Sequence, residues 1–199
     1  LVDSTIGAPQ HERVDDARVR PLRRSRLAAS WICVVVAALI VAGYPVYVRP
    51  QVDPVRKADA ILILGGPSYG RYARGFELGS RGEAPTVVVS NPNGRNDPWL
   101  TQQCASAHTF EILCFVPDPP TTRGEGRELR RLAAERRWRT VVVVTFRPHV
   151  SRARFILHRC FDGELVMVEP DDPVSARRWV VEYALQTVGY VRAALQPGC

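Results

Sequence analysis

The sequence predicts an α/β fold: a three-layer sandwich with about five parallel strands, preceded by one N-terminal transmembrane helix. Two observations predict the sandwich. Short runs rich in valine and isoleucine recur at 60–64, 86–90, 112–116, 140–145 and 165–168. They mostly lack alternation, as strands buried on both faces do. Between them lie stretches whose apolar residues repeat at helical spacing. A third observation predicts the membrane helix: residues 27–48 hold no charged side chain.

Residues 1–26 are polar and charged without a helical period, and read as a disordered cytoplasmic tail. Arg13, Arg18, Arg20, Arg23, Arg24 and Arg26 crowd it. The apolar segment 27–48 would reach roughly 33 Å as a helix, enough to cross the hydrocarbon core. Trp31, Tyr44 and Tyr47 stand near its ends, where amphipathic rings favour the interface. A cleaved signal peptide would have a shorter apolar region and a small-residue cleavage site, and Ala42-Gly43-Tyr44-Pro45 fits that badly. The expected topology is a single-pass cell-membrane protein, its arginine-rich end cytoplasmic and everything after Arg49 extracytoplasmic. Residues 49–57, with Pro50 and Pro54, read as a linker to a folded domain over 58–199.

Within that domain the run 60–64 leads into Gly65-Gly66, and a helix over 71–80 follows, with Tyr72, Ala73 and Phe76 on one face. Residues 97–107 are a weaker helix candidate. The segment 126–138 carries Leu129, Leu132 and Ala133 at helical spacing, and 148–160 carries Val150, Ala153 and Leu157. The last helix, 174–194, has Trp179, Val180, Tyr183, Val188 and Val191. Apart from Cys33 in the span, four cysteines remain, a number that suits disulfides in an exported domain. Of three connectivities, Cys104–Cys114 and Cys160–Cys199 are expected, tying a helix end to the next strand and pinning the C-terminal tail.

Net charge is +7 over 199 residues, and 46% of them are hydrophobic. The excess of arginine lies beside the span, where it orients the chain, and on the face of 126–138. It is not interleaved with aromatics, so nucleic acid is not an expected partner. Neither the cysteines nor the four histidines have metal-ligand spacing. G-x-G-x-x-G, Walker and G-x-S-x-G signatures are missing, so no cofactor is indicated.

Ligands of parallel sheets bind at the carboxyl ends of the strands. There the chain places Gly65, Gly66, Ser68 and Arg71; then Ser90, Asn91 and Asn93; then Asp118, Thr121, Thr122, Arg123 and Glu125; then Thr145, Arg147, His149 and Arg152. Guanidinium forks, hydroxyls and backbone N–H groups together suit a phosphate or another anionic, oxygen-rich ligand. Gly65 and Gly66 are expected to offer N–H groups, and Arg71 and Arg152 to hold the anion. Ser90, Asn91, Thr122 and Thr145 complete the candidate binding set. His149 and Arg152 share a face of one helical turn. The positive end of that helix should keep His149 neutral, able to act as general base or hydrogen-bond donor. Its acid/base partner is Glu125 or Asp118; spacing alone does not choose. Thr122 and Glu125 also match a capping box.

These residues resemble the YdcF/SanA/ElyC-like family, named for a domain of unknown function. The resemblance covers about 58–168 and is carried by the strand with Gly65-Gly66, Arg71, Ser90-Asn91, Thr121-Thr122-Arg123-Gly124-Glu125 and Thr145-x-x-x-His149-x-x-Arg152-Ala153. It implies a Rossmann-like domain outside the cytoplasm and a role in envelope integrity, in some members linked to peptidoglycan precursor or lipid-carrier metabolism. It also implies that Gly65, Gly66, Arg71, Ser90, Thr122, His149 and Arg152 are functional. The chain departs from the family at Asn91, often glycine, and at Glu125, one position from the usual carboxylate. Two other functions are open: a non-enzymatic envelope scaffold that binds a protein partner, and a nucleotide- or S-adenosylmethionine-binding enzyme, an activity associated with one branch of the family.

Overall fold

The structure, a computed structural model, describes residues 19–66 and 68–199. It divides into two units, one ending at Val41 and one running from Ala42 to Cys199. The first unit is formed by most of helix α1, Val19–Gly43. The stretch Ala28–Val48 is long and apolar enough to cross a membrane, with mean hydropathy 2.2. The tail expected over 1–18 lies outside the described residues; residues 19–26, expected to belong to it, are helical.

The second unit opens with a π-helical turn, Tyr44–Val48, and then builds the sandwich. Five strands, β1 Ala60–Ile63, β2 Thr86–Ser90, β3 Glu111–Phe115, β4 Thr140–Val144 and β5 Glu164–Val168, form one parallel sheet in the order β3-β2-β1-β4-β5. Every residue of β1 and β2 is buried. Each buried valine, leucine or isoleucine side chain contributes about 1.5–3 kcal/mol, which is why the uninterrupted apolar runs settle here. The edge strand β3 is only partly covered. Helices α2, Gly70–Ser80, and α3, Pro98–Ala105, supply Tyr72, Leu78 and Leu100 to the core on one face of the sheet. Helices α4, Thr122–Arg136, and α5, Val150–Leu157, supply Leu129, Leu132, Val150, Ala153 and Leu157 to the core on the other. The order reverses between β1 and β4, and an open α/β sheet leaves a crevice there.

Disulfides join Cys104 to Cys114 and Cys160 to Cys199. Two sequence expectations are corrected. In α2 the buried residues are Arg71, Tyr72, Gly75, Leu78 and Gly79, while Ala73 faces outward. Helix α4 starts four residues before its expected beginning. In the last helix, α6, Ala176–Leu195, the buried residues are Glu182, Gln186 and Ala193, and the valines Val180, Val188 and Val191 are exposed. That helix covers the polar crevice rather than the apolar core, so its inward face is polar.

Candidate functional site

The crevice between the ends of β1 and β4 widens into a cavity of about 750 Å³. Gly65, Gly66 and Arg71 line it from the β1 side, Thr122 and Glu125 from the start of α4, and His149 and Arg152 from the segment after β4. Helix α6 closes it with Glu182, Gln186 and Gly189.

The glycine turn is built around Arg71. This side chain is 1% exposed. Its Nε donates to the Ser68 carbonyl at 3.1 Å and its Nη1 to the Gly65 carbonyl at 2.9 Å. The guanidinium lies 5.0 Å from the centre of the Phe146 ring, a cation–π distance. Gly66 sits at φ 149°, and a Cβ there would come within 2.6 Å of the Arg71 Nη1. Turn and arginine therefore form one unit. Only Nη2 of Arg71 has no hydrogen-bond partner, and burial lowers the pKa of the group.

Of the two glycine N–H groups expected to face a ligand, that of Gly65 is engaged within the protein. Gly65 donates to Glu125 Oε1 at 2.6 Å. Glu125 does not close a capping box either. The N-cap of α4 is Thr121, whose hydroxyl accepts from the Gly124 amide at 3.4 Å. That frees the Glu125 carboxyl to reach across to β1. Burial raises its pKa, while Ser90, the Gly65 amide, Arg71 and Arg152 pull it back down. Asp118 is exposed and does not line the cavity, so of the two expected acid/base partners Glu125 is the one that shares it with His149.

His149 is 5% exposed and held between two threonines. Its Nδ1 is 2.9 Å from Thr145 Oγ1 and its Nε2 is 3.3 Å from Thr122 Oγ1. A neutral imidazole with one donor and one acceptor satisfies both contacts. The pKa of the ring is pushed well down, chiefly by burial and then by the Arg152 and Arg71 charges. Neutrality was expected from the helix end; its main cause is the buried position. No protein-family model matches the chain, and no curated protein does. Thr145 is fully buried beneath His149 and Ser90 is fully buried beside Glu125; neither reaches the cavity wall. Asn91 is turned away, its Nδ2 donating to the Gly94 carbonyl at 3.0 Å. Arg147 leaves the site and pairs with Glu169 at 3.0 Å.

Sequence reasoning missed the α6 wall. Arg152 Nε donates to Gln186 Oε1 at 2.8 Å, and Gln186 Nε2 donates to Glu182 Oε2 at 2.8 Å. Glu182 pairs in turn with Arg178 at 2.6 Å. A Cβ on Gly189 would sit 3.0 Å from the Arg152 side chain. The signal was present: Arg178, Glu182, Gln186 and Gly189 repeat at helical spacing inside an otherwise apolar segment. Among the described residues no group of three His, Cys, Asp or Glu side chains is placed to hold a metal.

Proposed function

We propose that this chain is a protein of the YdcF/SanA type, anchored by Ala28–Val48, whose extracytoplasmic α/β domain binds an anionic, phosphorylated envelope metabolite. The observation that carries the reading is the buried Arg71 guanidinium on the cavity wall, with Nη2 unpartnered. An arginine fork with a free donor edge is what a phosphate oxygen completes. Arg152, held by Gln186, adds a second cation, and Thr122 adds a hydroxyl. The cavity volume lies within the range of small-molecule sites and exceeds what a bare phosphate fills. The ligand is thus a phosphate or pyrophosphate ester with an organic part. His149, kept neutral, is the group that takes or gives a proton there, and Glu125 is its acid/base partner. The N-terminal arginines support a cytoplasmic tail. The two disulfides support an oxidising compartment for the domain.

The test is a thermal-shift panel on the full chain in detergent micelles, with inorganic phosphate, pyrophosphate, a prenyl phosphate, a nucleotide and S-adenosylmethionine. A ligand at about 100 times its Kd adds roughly 2.7 kcal/mol, a raised midpoint that is readily measured. A phosphorylated compound should raise the midpoint in wild type and not in Arg152→Gln. A shift with S-adenosylmethionine alone, or with nothing, refutes the reading; in the second case the cleft is a partner-binding surface. Equal activity of wild type and His149→Ala in an envelope-stress complementation assay would remove His149 from proton transfer.

A further inference from the structure

Helix α6 is inverted in polarity. Its buried residues include Glu182 and Gln186, while Val180, Val181, Val188, Val191 and Leu195 are 74%, 49%, 68%, 55% and 76% exposed. At 100° per residue these five, with exposed Ala184 among them, fall within an arc of about 100°. A continuous apolar stripe left in water marks a surface that something covers.

Two observations identify the cover. First, the end of the apolar span lies against this helix. The Tyr47 ring is 5.1 Å from that of Tyr183 and 6.5 Å from that of Tyr190, and its hydroxyl is 3.1 Å from Thr187 Oγ1. Tyr183, Thr187 and Tyr190 form one flank of the exposed stripe, so the stripe is continuous with the segment Tyr44–Val48 that ends the span. Second, the exposed charge of α6 is all cationic. Arg177, Arg178 and Arg192 are exposed, and its one acid, Glu182, is 1% exposed. Arg192 and Arg178 flank one side of the stripe and Arg177 stands at its N-terminal end; an apolar face with arginines at its edge is the signature of a helix lying in a membrane interface.

We infer that α6 lies on the lipid surface at the end of the span, its valine stripe in the acyl boundary and its arginines among anionic headgroups. The bilayer is thus a docking surface for the folded domain, additional to the anchor. The inference rests on the anchor reading and not on the identity of the cavity ligand. The cavity wall formed by Arg178, Leu185 and Arg192 then stands at headgroup level.

The experiment uses the full chain with Cys33→Ser, reconstituted into phosphatidylcholine vesicles containing phosphatidylglycerol. An environment-sensitive fluorophore is placed on Ala184→Cys or, separately, Val191→Cys, with Arg130→Cys on α4 as the reference site. An interfacial helix buries its apolar face about 5–10 Å into the headgroup boundary, so shallow nitroxide lipids should reduce emission at 184 and 191 roughly twofold or more and leave 130 unchanged. Flotation with the vesicles reports the anchor independently. Chain that floats with water-exposed labels at 184 and 191 overturns the inference and leaves the anchor intact. Blue-shifted labels that nitroxide lipids do not quench overturn it in favour of a protein cover. Chain that does not float overturns both.

Discussion

Arg71 is the side chain on which the glycine turn depends, and its replacement tests that argument. In Arg71→Met the volume is largely kept and the donors are lost. Two of the bonds have good geometry, to Gly65 O at 2.9 Å and Ser68 O at 3.1 Å; the contact to Leu64 O at 3.4 Å counts for little. Hydrogen bonds from a charged group contribute about 1.5–3 kcal/mol each, or roughly 3–6 kcal/mol together. Part of this is offset, because the variant no longer buries a cation, and that burial is what lowers the arginine pKa. A net loss of about 3 kcal/mol is expected. For a domain of this size that corresponds to about 6–12 °C in the unfolding midpoint. Arg71→Lys keeps the charge but not the planar fork that spans two carbonyls, and should recover less than half of the loss. The assay is thermal unfolding of the full chain in micelles, followed by circular dichroism. A midpoint for Arg71→Met within about 2 °C of wild type, or full recovery by Arg71→Lys, would refute the view that the fork shapes the turn.

Other outcomes follow from the same geometry. His149 titrates below its ordinary 6.5 in the fold, so the unfolded chain binds the extra proton. Its contribution to stability is complete above about pH 6.5 and is lost as pH falls, by up to about 1.4 kcal/mol per unit; denaturant titrations of wild type and His149→Gln should differ in that slope. Glu125 is raised above 4.5, which reverses the sign: stability falls as pH rises through its folded pKa, and Glu125→Gln should flatten that fall in the same titrations. In Gly124→Ala the new Cβ would stand 2.0 Å from the Pro119 carbonyl oxygen. The loop before α4 must move, at a cost of about 1–3 kcal/mol or more, and amide exchange at Gly65 should rise as Glu125 withdraws. Replacing both Cys160 and Cys199 by serine opens a loop of 39 residues and should cost about 4 kcal/mol, read as a lower denaturation midpoint.

The five strands were legible because a parallel sheet buried on both faces demands unbroken apolar runs, and valine-rich runs such as 140–145 have few other solutions. The four cysteines left three disulfide connectivities open, and the fold forms the expected one, Cys104–Cys114 with Cys160–Cys199. Local patterns misled where one residue had two uses. Thr122 and Glu125 have capping-box spacing, yet Thr121 takes the cap and Glu125 accepts the Gly65 amide instead. In α6 the valines stand at helical spacing and point outward, while Glu182 and Gln186 face inward. Spacing reports that a helix has a face, and not which neighbour that face meets.

The sequence by itself determined the alternation of strand and helix, the apolar span and the set of polar groups gathered at the strand ends, because each depends on contacts a few residues apart. Tertiary structure decided which of those groups meet. It set Glu125 across from Gly65, 60 residues away, and His149 between Thr122 and Thr145. It also turned the polar stripe of α6 onto Arg152. Burial is the reason: a charged or hydrogen-bonding group taken out of water must find a partner wherever the fold brings one, and no local pattern names that partner.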